Sequence, residues 1–154
     1  MRKLLLLLVA LIAINTNAQT TKKVRNQAPR KQTVEQRVIG KHMLSLQWIS
    51  WDYFGTCTIK RNSEGVLECK GEQLSRENSD YLRIDGTIEI VDADHLRFTG
   101  TIRSSIYHIN NGEECLREGT FDFVSTQGRR YWRLQQMENP LDGCTDYVDI
   151  YFKR

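Results

Sequence analysis

From Lys41 onward, apolar and polar residues alternate with a period of two, the spacing of strands that bury one face and wet the other. The alternation predicts eight strands: His42–Ser50, Gly55–Arg61, Val66–Leu74, Tyr81–Val91, Leu96–Ile109, Leu116–Thr126, Arg129–Met137 and Thr145–Lys153. The links are short and rich in Asn, Asp and Gly, as in Asn62-Ser63-Glu64-Gly65, Asp92-Ala93-Asp94, Asn110-Asn111-Gly112 and Gln127-Gly128. Links of this length join neighbouring strands antiparallel. The expected fold is all-β, an eight-stranded antiparallel up-and-down barrel. Closing the meander removes the exposed edges that an open sheet would leave.

Pairing can be read one hairpin at a time, because a slip of one residue sends every side chain to the wrong face. With Asp92-Ala93-Asp94 as the loop, Ile90 faces Leu96, Ile88 faces Phe98 and Ile84 faces Ile102 on one face. Glu89 then meets Arg97 on the other face, and Gly86 stands opposite Gly100 on the inner one. Two glycines at one level mark either a sharp bend of the closing sheet or room for a ligand. With Gln127-Gly128 as a two-residue turn, Phe123 faces Trp132, Phe121 faces Leu134 and Asp122 faces Arg133.

The chain ahead of the strands has a different character. Arg2 and Lys3, the apolar run Leu4 to Ile14 and the small-residue end Thr16-Asn17-Ala18 have the anatomy of a secretory signal peptide, cleaved after Ala18. The run is eleven residues long, too short to span a bilayer as a helix, so no membrane span is expected after cleavage. The chain is therefore expected to be exported, to the periplasm or the outside. Residues 19–40 carry six Lys/Arg and one acid, and residues 41–154 carry fourteen Lys/Arg and eighteen Asp/Glu. A flexible basic arm thus precedes a mildly acidic domain, and that acidity speaks against nucleic acid as a partner. Within the arm, Thr33 and Gln36 form a capping box for a short helix over Val34 to Ile39, stopped at Gly40.

The four cysteines, Cys57, Cys69, Cys115 and Cys144, all follow the signal segment. An even number in an oxidising compartment predicts a disulfide-stapled domain. Strand pairing favours Cys115–Cys144, where the seventh strand returns beside the sixth. Cys57 and Cys69 flank the Asn62–Gly65 turn and are expected to bridge if that loop has an odd number of residues, since an even number would send them to opposite faces.

Catalytic chemistry finds little footing. His42, His95 and His108 are far apart in the chain, and the interval from Cys57 to Cys69 is too wide for a zinc knuckle. Asp92/Asp94 and Glu113-Glu114 sit in turns, without an EF-hand pattern around them. No catalytic residue, metal or cofactor is expected. Two surfaces remain for binding. The closing hairpin places Tyr131, Arg133, Met137, Tyr147, Asp149 and Tyr151 on its outer face, residue types enriched at protein interfaces. The barrel interior, with Trp48, Gly86, Phe98, Gly100 and Trp132 in its lining, is apolar enough to be a packed core or a pocket for a small hydrophobic ligand.

The stretch QWISWDYFGTCTIKRNSEGVLECKG, residues 47–71, resembles the opening of calycin-type barrels such as avidins and lipocalins. It shares a tryptophan near the end of the first segment, Trp48, then a glycine-led strand and a glycine-containing hairpin. Leu46 stands where the lipocalin Gly-x-Trp signature has its glycine, so the resemblance implies architecture only, with no ligand residues. The sequence leads to an exported binding module, with a proteinaceous inhibitor of a secreted or periplasmic enzyme as the alternative.

Overall fold

Eight strands close in chain order into one antiparallel barrel: β1 Gly40–Leu46, β2 Gly55–Arg61, β3 Leu67–Leu74, β4 Tyr81–Ile90, β5 His95–Ser105, β6 Glu114–Val124, β7 Tyr131–Leu134 and β8 Val148–Tyr151. This computed structural model describes residues 33–153. The expected signal peptide and most of the basic arm, residues 1–32, lie outside the described residues. The meander is compatible with a calycin-type architecture.

The alternation works as expected along the wall. In β3 the even exchange of buried and exposed positions puts Leu67, Cys69, Gly71 and Gln73 inside. Trp132, Phe98, Phe123 and a set of Leu and Ile side chains fill the interior with essentially no solvent exposure. Phe98 meets Phe123 edge-on at 6.1 Å, and Trp132 lies 4.3 Å from Phe152. Burying large apolar side chains supplies the main favourable term for a fold of this size.

The β4–β5 register is the one the sequence predicts, with Ile88↔Phe98, Glu89↔Arg97 and Gly86↔Gly100. A Cβ on Gly100 would lie 2.3 Å from the Asp85 carbonyl oxygen and 2.6 Å from the Gly86 Cα. A Cβ on Gly86 would lie 2.3 Å from the Thr99 carbonyl oxygen and 2.9 Å from the Phe98 ring. The two glycines therefore mark a close approach of backbones at a bend.

The β6–β7 register differs from expectation by two residues: Phe123 pairs with Leu134 and Val124 with Arg133. The Gln127-Gly128 turn does form, with φ of 55° and 71° and a 3.1 Å bond from Arg129 N to Thr126 O. The next residue, Arg130, leaves the ladder because its carbonyl accepts from Phe152 N at 2.8 Å. A shift of two preserves the faces, so Trp132 and Leu134 still point inward. Asp122 does not meet Arg133, and instead accepts from His95 Nε2 at 2.7 Å.

Four strands also stop or start furthest from where the alternation puts them. The first strand ends at Leu46 rather than Ser50, because Ile49 N turns back to Leu46 O at 3.0 Å. The fifth ends at Ser105, and Tyr107–Asn110 form a short helix, α2, after which Asn111 turns at a φ of 58°. The last two strands are four residues each, shorter than expected, because residues 135–147 are mostly loop. Ahead of β1, helix α1, Val34–Val38, has the expected capping box: Thr33 N donates to Gln36 Oε1 at 3.0 Å and Gln36 N to Thr33 Oγ1 at 3.2 Å. Val38 is fully buried, and the Arg37 guanidinium lies 4.7 Å from the Phe152 ring centre, so α1 packs on one end of the core.

The expected disulfide staples are not formed: all four cysteines are free thiols. Cys57 pairs with Gly71 and Cys69 with Ile59, which makes the two cysteines diagonal neighbours on the inner face. Their sulfurs are 3.4 Å apart, against about 2.05 Å in a bond. Among the described residues no helix is long and apolar enough to cross a membrane.

The close approach at the bend is testable. Gly100→Ala is expected to cost about 1–3 kcal/mol, since the atoms its methyl would meet are backbone and cannot rotate away. Urea unfolding followed by tryptophan fluorescence measures it, and an unchanged midpoint would show that the wall yields there.

Candidate partner-binding face

The hairpin β7–β8 closes the barrel, with Tyr131 opposite Tyr151 and Arg133 opposite Asp149. These four side chains point outward, because Trp132, Leu134, Val148 and Ile150 take the inward positions and are fully buried. Asp149 nevertheless has only 1% of its side chain exposed. A carboxylate on an outer face stays dry only under a cover, and Arg133 and the tyrosines supply it. Arg133 Nε and Nη2 donate to the two Asp149 oxygens, both at 2.7 Å. This is the fork geometry in which guanidinium and carboxylate bind most strongly. The pair holds the guanidinium above its already high ordinary pKa, with the Asp149 hydrogen bonds the leading cause.

Aromatic rings build up around that pair. The Arg133 guanidinium lies 4.1 Å from the Tyr147 ring centre and 5.1 Å from that of Tyr131. Tyr131 and Tyr151 are 5.3 Å apart, and Phe54 stands edge-on to Tyr151 at 5.0 Å. Burial pushes the Tyr151 hydroxyl above the usual tyrosine range. Tyr147 is placed by its neighbour across the sheet: its N–H donates to Gln47 Oε1 at 2.7 Å, and Gln47 Nε2 donates to Thr145 O at 2.5 Å. Tyr131, Arg133, Tyr147 and Tyr151 are each half-buried. Met137 belongs instead to the β7–β8 loop, where its carbonyl accepts from Asp146 N at 2.7 Å.

Of the residues proposed to line an interior pocket, Gly86 stands against the Phe98 ring, and Trp48 packs on the core that holds Phe98 and Trp132. Phe98 and Trp132 are fully buried in packed side chains, and Gly86 and Gly100 abut backbone. Trp48 lies in the loop after β1, where its Nε1 donates to Asp146 Oδ1 at 3.0 Å. The histidines stand apart. His42 lies between the carbonyls of Tyr151 and Val38, His95 is on Asp122, and His108 Nδ1 is 3.9 Å from Asp80.

One polar cluster was not anticipated from the sequence. Arg117 points inward from β6 and donates to Asp146 Oδ2 and to the Gln136 carbonyl, each at 3.0 Å. Asn139 Nδ2 donates to the same Asp146 oxygen at 3.0 Å. Burial holds the Asp146 carboxyl above the usual carboxylate range, against the opposing pull of the Arg117 charge. The signal was present in parity alone, since Arg117 occupies the position between Cys115 and Gly119 on the inner face.

Comparison with known proteins places the chain in a lineage. A family model described as the PM1083 family matches residues 19–152. The chain belongs to the PM1083 family. A relative from Pasteurella multocida (strain Pm70), named uncharacterized protein PM1083, is 42% identical over 146 residues, covering 95% of this chain and 92% of that protein. No solved structure matches the chain.

In this PM1083-family protein the outer face rests on the buried ion pair. Arg133→Ala would leave Asp149 buried without its partner, and is expected to cost about 3–5 kcal/mol in chemical unfolding. Arg133→Lys restores charge but not the fork, so it is expected to recover less than half of that loss. Full recovery by lysine would show that charge alone holds the face.

Proposed function

We propose that this PM1083-family protein is an exported, non-enzymatic binding module that holds a protein partner on the face formed by Tyr131, Arg133, Tyr147 and Tyr151. The observation that carries the proposal is the filled interior: Trp132, Phe98 and Phe123 occupy the space a small hydrophobic ligand would need. What remains is a half-buried aromatic surface around a fixed arginine. Tyr and Arg contribute strongly at interfaces because each buries a large area and keeps a polar tip.

The alternative is a proteinaceous inhibitor of a secreted or periplasmic enzyme, and one feature favours it. Arg133 is held at two nitrogens and stacked on two tyrosines before any partner arrives. A face ordered in advance loses less entropy on binding, as tight inhibitors require.

The proposal includes export and stapling. The segment from Arg2 to Ala18 has the order of a signal peptide, and the family match begins one residue later, at Gln19. In an oxidising compartment Cys57 and Cys69, with sulfurs 3.4 Å apart, and Cys115 with Cys144 would close as disulfides. Each closure passes two electrons and two protons to a thiol oxidant of that compartment.

Two measurements test these proposals. The intact mass of protein recovered from its own compartment is expected to begin at Gln19 and to lack the hydrogens of two bridges. A full-length mass, or four titratable thiols, would overturn export or stapling respectively. For the face, a photo-cross-linking residue at Tyr147 is expected to capture a protein in living cells, while one at the exposed Thr120 on β6 does not. Equal capture at both positions, or none at either, would overturn the partner-binding reading. An enzyme identified in the adduct and inhibited by the purified protein would select the alternative.

A further inference from the structure

Past Ile150 the two closing strands part. The β1–β8 ladder runs through Leu46↔Val148, Ser45↔Asp149 and Leu44↔Ile150 and stops there. In continuation Met43 would face Tyr151 and His42 would face Phe152. Instead the His42 ring enters the gap, 2.9 Å from the Tyr151 carbonyl oxygen and 2.6 Å from that of Val38. Two adjoining grooves lie along the parted strands. One of about 580 Å³ is lined by Met43, Phe54, Arg130, Tyr151 and Phe152. The other, of about 300 Å³, is lined by Lys41, His42, Met43, Thr56, Phe152 and Lys153. They share Met43 and Phe152, so they make one channel with an apolar floor and a basic rim.

Charge on that rim is unbalanced. Most cations elsewhere on the wall are matched, Lys60 with Glu68, Lys70 with Asp85, Arg83 with Glu72, and Arg97 with Glu89 and Asp122, while Arg103 on β5 stands alone without a described carboxylate at ion-pair distance. Among the described residues, Lys41, Arg130 and Lys153 have no carboxylate within ion-pair distance, and neither has Arg129 beside Tyr131. These cations gather in a domain whose acids outnumber its bases. Lys153 is turned partly inward, donating to the carbonyls of Gln36 and Ile39, while Lys41 and Arg130 are exposed.

We propose that this channel binds an extended segment of a partner protein in which acidic residues flank an aromatic or aliphatic side chain. The inference rests on the outer-face reading above, because Tyr151 belongs to both surfaces. An apolar side chain between Met43 and Phe152 would leave water for an apolar floor, and methionine adapts its shape to varied guests. Carboxylates on either side would then reach Lys41 at one end and Arg130 at the other. The chain's own basic arm, with Lys22, Lys23, Arg25, Arg30 and Lys31, carries the sign of the rim. Like charges repel, so the occupant comes from another protein.

Peptide display on the folded mature protein tests this, followed by fluorescence anisotropy on the selected peptides. The expected winners carry Asp or Glu around Phe, Tyr, Leu or Met. Their affinity is expected to fall about tenfold in Lys41→Glu/Arg130→Glu, and to weaken as salt rises. Overturning results are no enriched peptide, winners without acids, or undiminished binding to the charge-reversed protein. If that variant melts early, Lys41→Gln/Arg130→Gln replaces it with the same expectations. Tyr147 lies off the channel, which separates the two proposals. Peptides that bind wild type and Tyr147→Ala alike, with no cross-link at Tyr147, would retire the outer-face reading and leave the channel standing. The reverse outcome would retire the channel alone.

Discussion

The barrel depends on a seam only three residue pairs long, where β8 meets β1. Without it, a meander of eight strands would expose two unpaired edges, each a template for another chain. The middle pair is Ser45↔Asp149, and the Asp149 side chain reaches sideways to Arg133 on β7. One residue thus ties three strands, through its backbone on one side and its carboxylate on the other. Its burial on an outer face follows from that duty. Gln47 prolongs the seam beyond the backbone ladder by bonding Tyr147 and Thr145, and His42 ends it at the opposite side.

How far the sequence could be read depended on which interactions set each register. For β4–β5 the loop is tight and both strands are long, so apolar pairs, ion pairs and facing glycines all select the same alignment. In β6–β7 the turn chemistry was legible and the pairing was not. Arg130 gives its carbonyl to Phe152, a residue just past the end of β8, and no pairwise test of β6 against β7 can detect that. Side-chain parity survives a slip of two, so the inner and outer faces were legible even where the partners were not. The helix at Tyr107–Asn110 was lost in an apolar alternation that could continue a strand. Its first N–H is taken by Asp80, a long-range contact invisible to local pattern.

The same distinction applies to the site. Tyr131, Arg133, Tyr147, Asp149 and Tyr151 share a face because parity fixes it, and the structure brings them together. The depth of Asp149 could not be read, since a residue at an outward position is ordinarily wet. Met137 falls away because β7 ends at Leu134, before alternation would have carried it onto the face. Arg117 shows the converse. It occupies an inward position that the pattern reserves for apolar side chains, and its Nη2 is paired there with Asp146, from a loop nearly thirty residues on. A charge in an apolar register signals a buried partner, but the register alone does not say where that partner lies in the chain.

Closure and recognition meet in the same few side chains. A seam held by backbone pairs for three residues must stop somewhere, and the groups just past the stop need other partners. His42 serves the Tyr151 carbonyl, Arg130 serves Phe152 N–H, and Lys153 serves the end of α1. Each substitution replaces a strand neighbour with a side chain or a bulge. The wall therefore loses its flat pleat there, and Met43, Phe54, Tyr151 and Phe152 line a channel. The cations around it are not needed for closure, because Arg133 and Asp149 already hold the seam. Their lack of carboxylate partners leaves net positive charge around an apolar floor, and an acidic segment with an apolar anchor is the chemistry that would satisfy both.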